Sequence, residues 1–282
     1  MTSDKPLIAL IRERLAGDLS ELPVFHSVAV RIQQTLSRND YSIDEVLRLI
    51  SEDQSLSGKV LKIANSSYYA GLSKVETMKD AIIRLGAQEI ANIAMLASQF
   101  ESYRSSNGTL NEKMMALWSH SFSCATGAQW LASKAGYPDL VSRSFMGGLL
   151  HDIGKLVLLK VMDDIIRSGE SRAHLTTPLI DEILITMHEQ VGYDLMRSWS
   201  LPENYALIAI QHHQAEFDPG NILLTVVRLA NEACRKVGRD IVEHQDIALV
   251  ACPEVQVLGL KEITVAELEI VVEDAGEGVF TA

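Results

Sequence analysis

Cysteine is scarce in this chain. Cys124, Cys234 and Cys252 are the only three in 282 residues, far apart and without a C-x-x-C pair. An odd, scattered set fits buried thiols in a reducing cytosol better than a disulfide framework. Basic residues are also few, with 25 Lys and Arg against 37 Asp and Glu, a formal net charge of −12. That balance argues against a general nucleic-acid binder, which would offer a basic face to phosphates. No apolar run approaches the roughly 20 residues of a bilayer span. Met1 to Pro6 lacks the basic segment and apolar run of a secretory signal. A cytoplasmic protein with no membrane and no nucleic-acid partner is expected. Hairpin dipeptides and sustained apolar–polar alternation are almost absent from the N-terminal half, which disfavours sheet.

Apolar residues recur instead at helical spacing. Asp4 to Leu15 reads as a short amphipathic helix with Leu7, Ile8, Ile11 and Leu15 on its packed face. Leu22-Pro23 opens a helix through Val24, Val28, Ile32 and Leu36. Ser42-Ile43-Asp44-Glu45 has the form of a capping box, Ser55 caps the next helix, and Gly86 suits a position just past a helix end. Ser105-Ser106-Asn107-Gly108 is the clearest linker, and a long helix follows from about Asn111 to Ala135. Helices are expected over Leu179 to Trp199 and Asn221 to Lys236. Others start at Ser200-Leu201-Pro202-Glu203 and at Thr264-Val265-Ala266-Glu267, with one or two short helices between Asp240 and Ile263. The expected fold is all-α, an irregular multi-helix assembly and not a long four-helix bundle. Residues 1–18 should form an N-terminal helix, 19–105 an N-terminal helical lobe, 106–238 a helical bundle and 239–282 a C-terminal helical extension.

Chemistry concentrates in Gly147 to Leu159, an apolar stretch that carries His151, Asp152, Gly154 and Lys155. A buried His-Asp pair is costly unless it is hydrogen-bonded or holds a cation. Adjacent residues on an ideal helix point about 100° apart, so a shared cation would lie between them, beside a helix end. Lys155, one turn on, is placed to meet an anionic ligand or a carboxylate. His120 and His188 lie on apolar helix faces and should point inward. Converging His and Asp suit Fe, Mn, Mg or Zn, and such an ion could activate water against a phosphate ester. A lone inward His is more often a hydrogen-bonded core residue, but several together favour a metal role, past or present. His212-His213 ends a helix, where it serves either the helix dipole or the same site. His26, His174 and His244 read as surface residues. Asp53 and Asn65 read as helix braces through backbone hydrogen bonds.

Leu149-Leu150-His151-Asp152-Ile153-Gly154-Lys155 resembles the signature of the HD superfamily of metal-dependent phosphohydrolases. A longer pattern resembles the HDOD family. It comprises Leu22-Pro23, Ile50-x-x-Asp53-x-x-Leu56, Ala64-Asn65-Ser66-Ser67-Tyr68, Ala81-Ile82-x-x-Leu85-Gly86 and Trp118-x-His120. Gly148 to Lys155, His188-Glu189-x-Val191-Gly192, Trp199-x-Leu201-Pro202 and His212-His213 complete it. The resemblance implies an N-terminal helical lobe on an HD-like bundle, in a bacterial signalling module that binds a protein partner, or a small-molecule or nucleotide ligand, and is not an enzyme. It places His120, His151 and Asp152 as ligands of a divalent metal, with His188, His212 and His213 as further candidates. Asn231 stands where HD hydrolases carry a distant Asp, and Gln214 to Gly220 lacks the Gly-Tyr-Pro motif of the related cyclic-dinucleotide phosphodiesterases. Both departures weigh against hydrolysis. The alternative is an HD-type phosphohydrolase acting on a nucleotide or phosphomonoester, in which Lys155 would stabilise phosphate.

Overall fold

The computed structural model describes residues 6–17, 19, 22, 24–38, 40–66, 69, 74–170, 175–242 and 247–275. Asp4, Pro23, Ser67, Tyr68, His174 and His244 fall outside the described residues. Helices α1 (Leu7–Leu15), α2 (Ser27–Leu36), α3 (Ile43–Ser51), α4 (Gln54–Ala64), α5 (Met78–Leu85) and α6 (Ala87–Gln99) lead to the long α7 (Gly108–Lys134). They are followed by α8 (Val141–Leu150), α9 (Ile153–Arg167), α10 (Thr177–Ser198) and α11 (Glu203–Gln211). Then come α12 (Ile222–Lys236), the short α13 (Pro253–Val257) and α14 (Glu262–Asp274). The fold is all-α, with no strand among the described residues.

Two apolar cores organise these helices. The smaller gathers Ile32, Val46, Ile50, Val60, Ala81 and Ile90 from α2 to α6. The larger is built on α7, whose long buried face carries Leu117, Cys124, Ala128 and Leu131, and it takes in α8 to α12 and α14. Leu7, Leu10 and Ile11 of α1 join the larger core, whereas Ile8 is exposed. Both cores draw residues from α2 and α6, so these two helices tie the cores together.

The capping signals fared unevenly. Ser42 caps α3, its hydroxyl accepting from Glu45 N at 3.1 Å. Asp53, not Ser55, caps α4, its carboxylate accepting from Leu56 N at 2.8 Å. Asn65 braces the far end, donating to the Leu61 and Val75 carbonyls and accepting from Val75 N. The second capping box does not form. Ser200 is claimed by the end of α10, at φ 49°, where Leu201 N reaches back to the Met196 carbonyl at 3.0 Å. With Ser200 in that closing turn, α11 starts after Pro202. Likewise α14 starts at Glu262 and not at Thr264, because a similar closure between Leu260 N and the Val255 carbonyl turns the chain earlier.

Candidate metal centre

His151 and Asp152 do not lie along one helix. They occupy the joint between α8 and α9, and Asp152 has φ −104° and ψ 15°. Two glycine contacts fix that joint. A Cβ on Gly148 would stand 2.7 Å from the Ala125 backbone and the Cys124 carbonyl, so α8 lies directly on α7. A Cβ on Gly154 would penetrate the His188 carbonyl, so α9 lies directly on α10. Glycine is required at both positions for close approach, and the two contacts set the distances across the site.

Around Asp152 the structure assembles His120 from α7, His151 from the joint, His188 from α10 and His212 from the end of α11. Each ring is oriented through Nδ1 by a backbone carbonyl. His120 Nδ1 donates to Arg239 O at 2.6 Å and His151 Nδ1 to Gly148 O at 2.7 Å. His188 Nδ1 donates to Leu184 O at 2.8 Å and His212 Nδ1 to Ala209 O at 2.9 Å. All four Nε2 atoms therefore face the carboxylate. His120 and His151 stand 3.3 and 3.4 Å from Oδ2, and His188 and His212 stand 3.5 and 3.4 Å from Oδ1. Lys155 Nζ donates to Oδ2 at 2.6 Å. His213 is the exposed member, its ring 4.1 Å from that of His212.

This arrangement could hold a cation. An imidazole that has spent its proton on a carbonyl offers Nε2 as an acceptor only, and a carboxylate oxygen is also an acceptor. Asp152 Oδ1, His188 Nε2 and His212 Nε2 are buried without a hydrogen-bond partner among the described residues. The donor atoms fall into two groups that share Asp152: His120, His151 and Asp152, and Asp152, His188, His212 and His213. Each group could hold a metal ion, with ring orientation supplied by the carbonyl partners as metal-binding imidazoles require.

Electrostatics in the absence of metal follow from the same contacts. Burial alone would raise the Asp152 carboxyl, but Lys155 and His151 hold it well below the usual range. Burial opposes charge on His120 too, yet Asp152 and Asp240 raise its pKa to about 9. Burial dominates at His151 and His188, which fall to about 3 and about 4. One proton on His120, 3.1 Å from His151 Nε2, thus takes the place of a cation.

Asn231 is buried on α12 and its Nδ2 has no partner, but no hydrogen bond joins it to the cluster among the described residues. His26, expected on the surface, is half-buried, with its Nε2 3.1 Å from Asp53 Oδ2. Sequence reasoning missed Arg228. Its guanidinium donates to the carbonyls of Gln211, His212 and Gln214 and pairs with the buried Glu254 at 2.6 Å. It thereby pins the chain just where His212 and His213 leave α11. Nothing local marks such a residue, and the clue would have been an Arg on the apolar-rich α12. The Arg239 carbonyl that orients His120 carries no sequence signal at all.

A family model for the HDOD domain covers residues 22–215. The chain belongs to the HDOD family. A crystal structure of an HDOD domain protein of unknown function from Geobacter sulfurreducens superposes with a TM-score of 0.70 at 23% identity, covering 95% of this chain and 97% of that one. A candidate signal transduction protein from Marinobacter aquaeolei VT8 gives a TM-score of 0.66 at 23% identity, over 96% of this chain and 64% of that chain. At these identities the likeness speaks for the HDOD fold. An uncharacterized protein of Treponema pallidum (strain Nichols) is 25% identical over 240 residues, 83% of this chain. The chain spans 45% of the length of that relative. Among the described residues no helix is long and apolar enough to cross a membrane.

Proposed function

We propose that this HDOD chain is a bacterial cytoplasmic regulatory module that holds a divalent metal in its His–Asp cluster and acts by binding a protein or small signalling ligand, without turnover. The observation that carries the metal reading is the pair of buried Nε2 atoms, of His188 and His212, facing Asp152 Oδ1 with no hydrogen-bond partner for any of the three among the described residues. His120, His151 and Asp152 Oδ2 would hold one ion, and Asp152 Oδ1 with His188, His212 and His213 a second. Imidazole-rich sets suit iron or zinc ahead of magnesium. When bound, such an ion can polarise a water or a phosphoryl oxygen. Lys155 keeps Asp152 ionised, and the carbonyl contacts hold the rings in place.

Closure of the site supports binding over catalysis. The side chains of His120, His151, Asp152 and His212 are 0% exposed, so a bulky phosphate ester has little direct access to them. We further propose that residues 19–105 and 106–238 act as lobe and bundle, with the partner surface outside the cluster. A phosphohydrolase reading draws on one observation, the exposure of His213 at the rim of the second donor group.

The test is metal analysis of protein purified without a His-tag, followed by a screen of phosphomonoesters and cyclic nucleotides. Stoichiometric iron, zinc or manganese, lost in Asp152→Ala, is expected, with no turnover. Metal-free protein that takes up no ion would refute the metal assignment. Metal-dependent turnover abolished by Asp152→Asn would replace the regulatory reading with the hydrolase.

A further inference from the structure

A polar cleft of about 210 Å³ lies where the two cores meet, and none of its lining residues belongs to the His–Asp cluster. Its walls include Gln33 of α2, Gln88 of α6, Arg143 of α8, and Asn204 and Tyr205 of α11. No acidic residue among the described residues lines it. Glu89, beside Gln88, is already engaged by the Tyr69 hydroxyl at 2.7 Å and the Ser142 hydroxyl at 3.0 Å. In a chain of net charge −12, Arg143 is exposed and has no carboxylate or hydrogen-bond partner among the described residues.

The neighbouring groups are equally uncommitted. The Gln33 and Gln88 amides share a single acceptor, Asn92 Oδ1, each at a long 3.5 Å. The Tyr205 ring is buried, and burial pushes its hydroxyl up to about 12, so it remains a donor. α11 begins with no capping side chain; Tyr205 N turns back on the Pro202 carbonyl at 3.0 Å and the Glu203 carboxylate is drawn to Arg197 at 3.2 Å, which leaves the Glu203 and Asn204 N–H groups for a ligand at this end. An unpaired guanidinium beside a helix start and several amide donors is a constellation suited to phosphate. The volume, about 210 Å³, lies below the roughly 300–1,000 Å³ of sites for drug-sized ligands and favours a small one.

We propose that this cleft binds a small organic phosphate of about sugar-phosphate size, with Arg143 and the start of α11 on the phosphate and the Gln33, Gln88 and Asn204 amides on hydroxyls. The site does not depend on the metal reading. It does touch the first turns of α8 and α11, and those helices run on to His151 and His212, so an occupied cleft clamps both elements together.

Ribose 5-phosphate, inorganic phosphate, ribose and citrate are titrated by calorimetry into the full chain, as purified and again after EDTA treatment. Saturable binding of ribose 5-phosphate is expected in both preparations, with weaker binding of inorganic phosphate and none of ribose. Arg143→Gln should weaken ribose 5-phosphate at least about tenfold, Asn204→Leu should weaken it less, and Arg167→Gln should leave it unchanged. Circular dichroism checks that each variant is folded. Absence of saturable phosphate binding, binding lost with EDTA, binding of citrate alone, or affinity unmoved by both Arg143→Gln and Asn204→Leu would each overturn the proposal.

Discussion

Metal affinity should depend on pH through a single proton, and the structure says which one. In the metal-free cluster His120 has its pKa raised to about 9, so near neutrality it is protonated. It must lose that proton before Nε2 can coordinate. His151 and His188, lowered to about 3 and about 4, are already neutral there, and Asp152 is ionised well below its usual range. Affinity should therefore rise with pH, about tenfold or ~1.4 kcal/mol per unit, until the His120 pKa is reached. Between about pH 6 and about pH 8 the gain is roughly a hundredfold. Calorimetric titration of chelator-treated protein with Zn²⁺, in two buffers of different ionisation heat, reads the proton count directly. About one proton should leave per first ion bound. Affinity flat across this interval with no proton release would refute the assignment of the proton to His120. Release of several protons would mean that His151 and His188 are cationic when buried.

Two further perturbations probe the supports of the cluster. Gly154→Ala puts a methyl into the His188 carbonyl, so α9 and α10 must part. We expect a loss at or beyond the upper end of the usual ~1–3 kcal/mol for overpacking, read by denaturant unfolding, together with weaker metal binding because His188 moves; a shift under ~0.5 kcal/mol would refute that packing. Asp152→Ala strands the buried Lys155 ammonium and should cost about 3–5 kcal/mol in metal-free protein, whereas Asp152→Ala with Lys155→Met should recover most of it. Additive losses in that double-mutant cycle would contradict the ion pair.

What could be read from the sequence depended on how local its cause is. Helices were legible because apolar spacing and residues such as Ser42 and Gly86 act within one turn. Ser200 misled because it sits between two helices, and the end of α10 took it before α11 could. The convergence of His120, His151, His188 and His212 on Asp152 was suggested by inward-facing polar residues on apolar faces, a signal that burial makes expensive. How the rings are oriented was not legible. The carbonyls that do it belong to Gly148, Leu184, Ala209 and Arg239, and a carbonyl is common to every residue. Arg228 was hidden for a related reason, since its partners are mostly main chain and Glu254 lies between Asp240 and Ile263, a stretch read only as one or two short helices.

The sharing of one carboxylate between two donor groups sets an upper limit on how much charge the interior will tolerate. Asp152 already answers the Lys155 ammonium, so the first divalent ion takes over the role of the His120 proton with only a small excess of positive charge. A second ion finds no remaining negative side chain in its donor group, which is otherwise imidazole. An uncompensated cation among largely buried imidazoles is costly. Full loading of the centre is therefore an ion-pairing event, in which the second metal enters in company with an anion from solution.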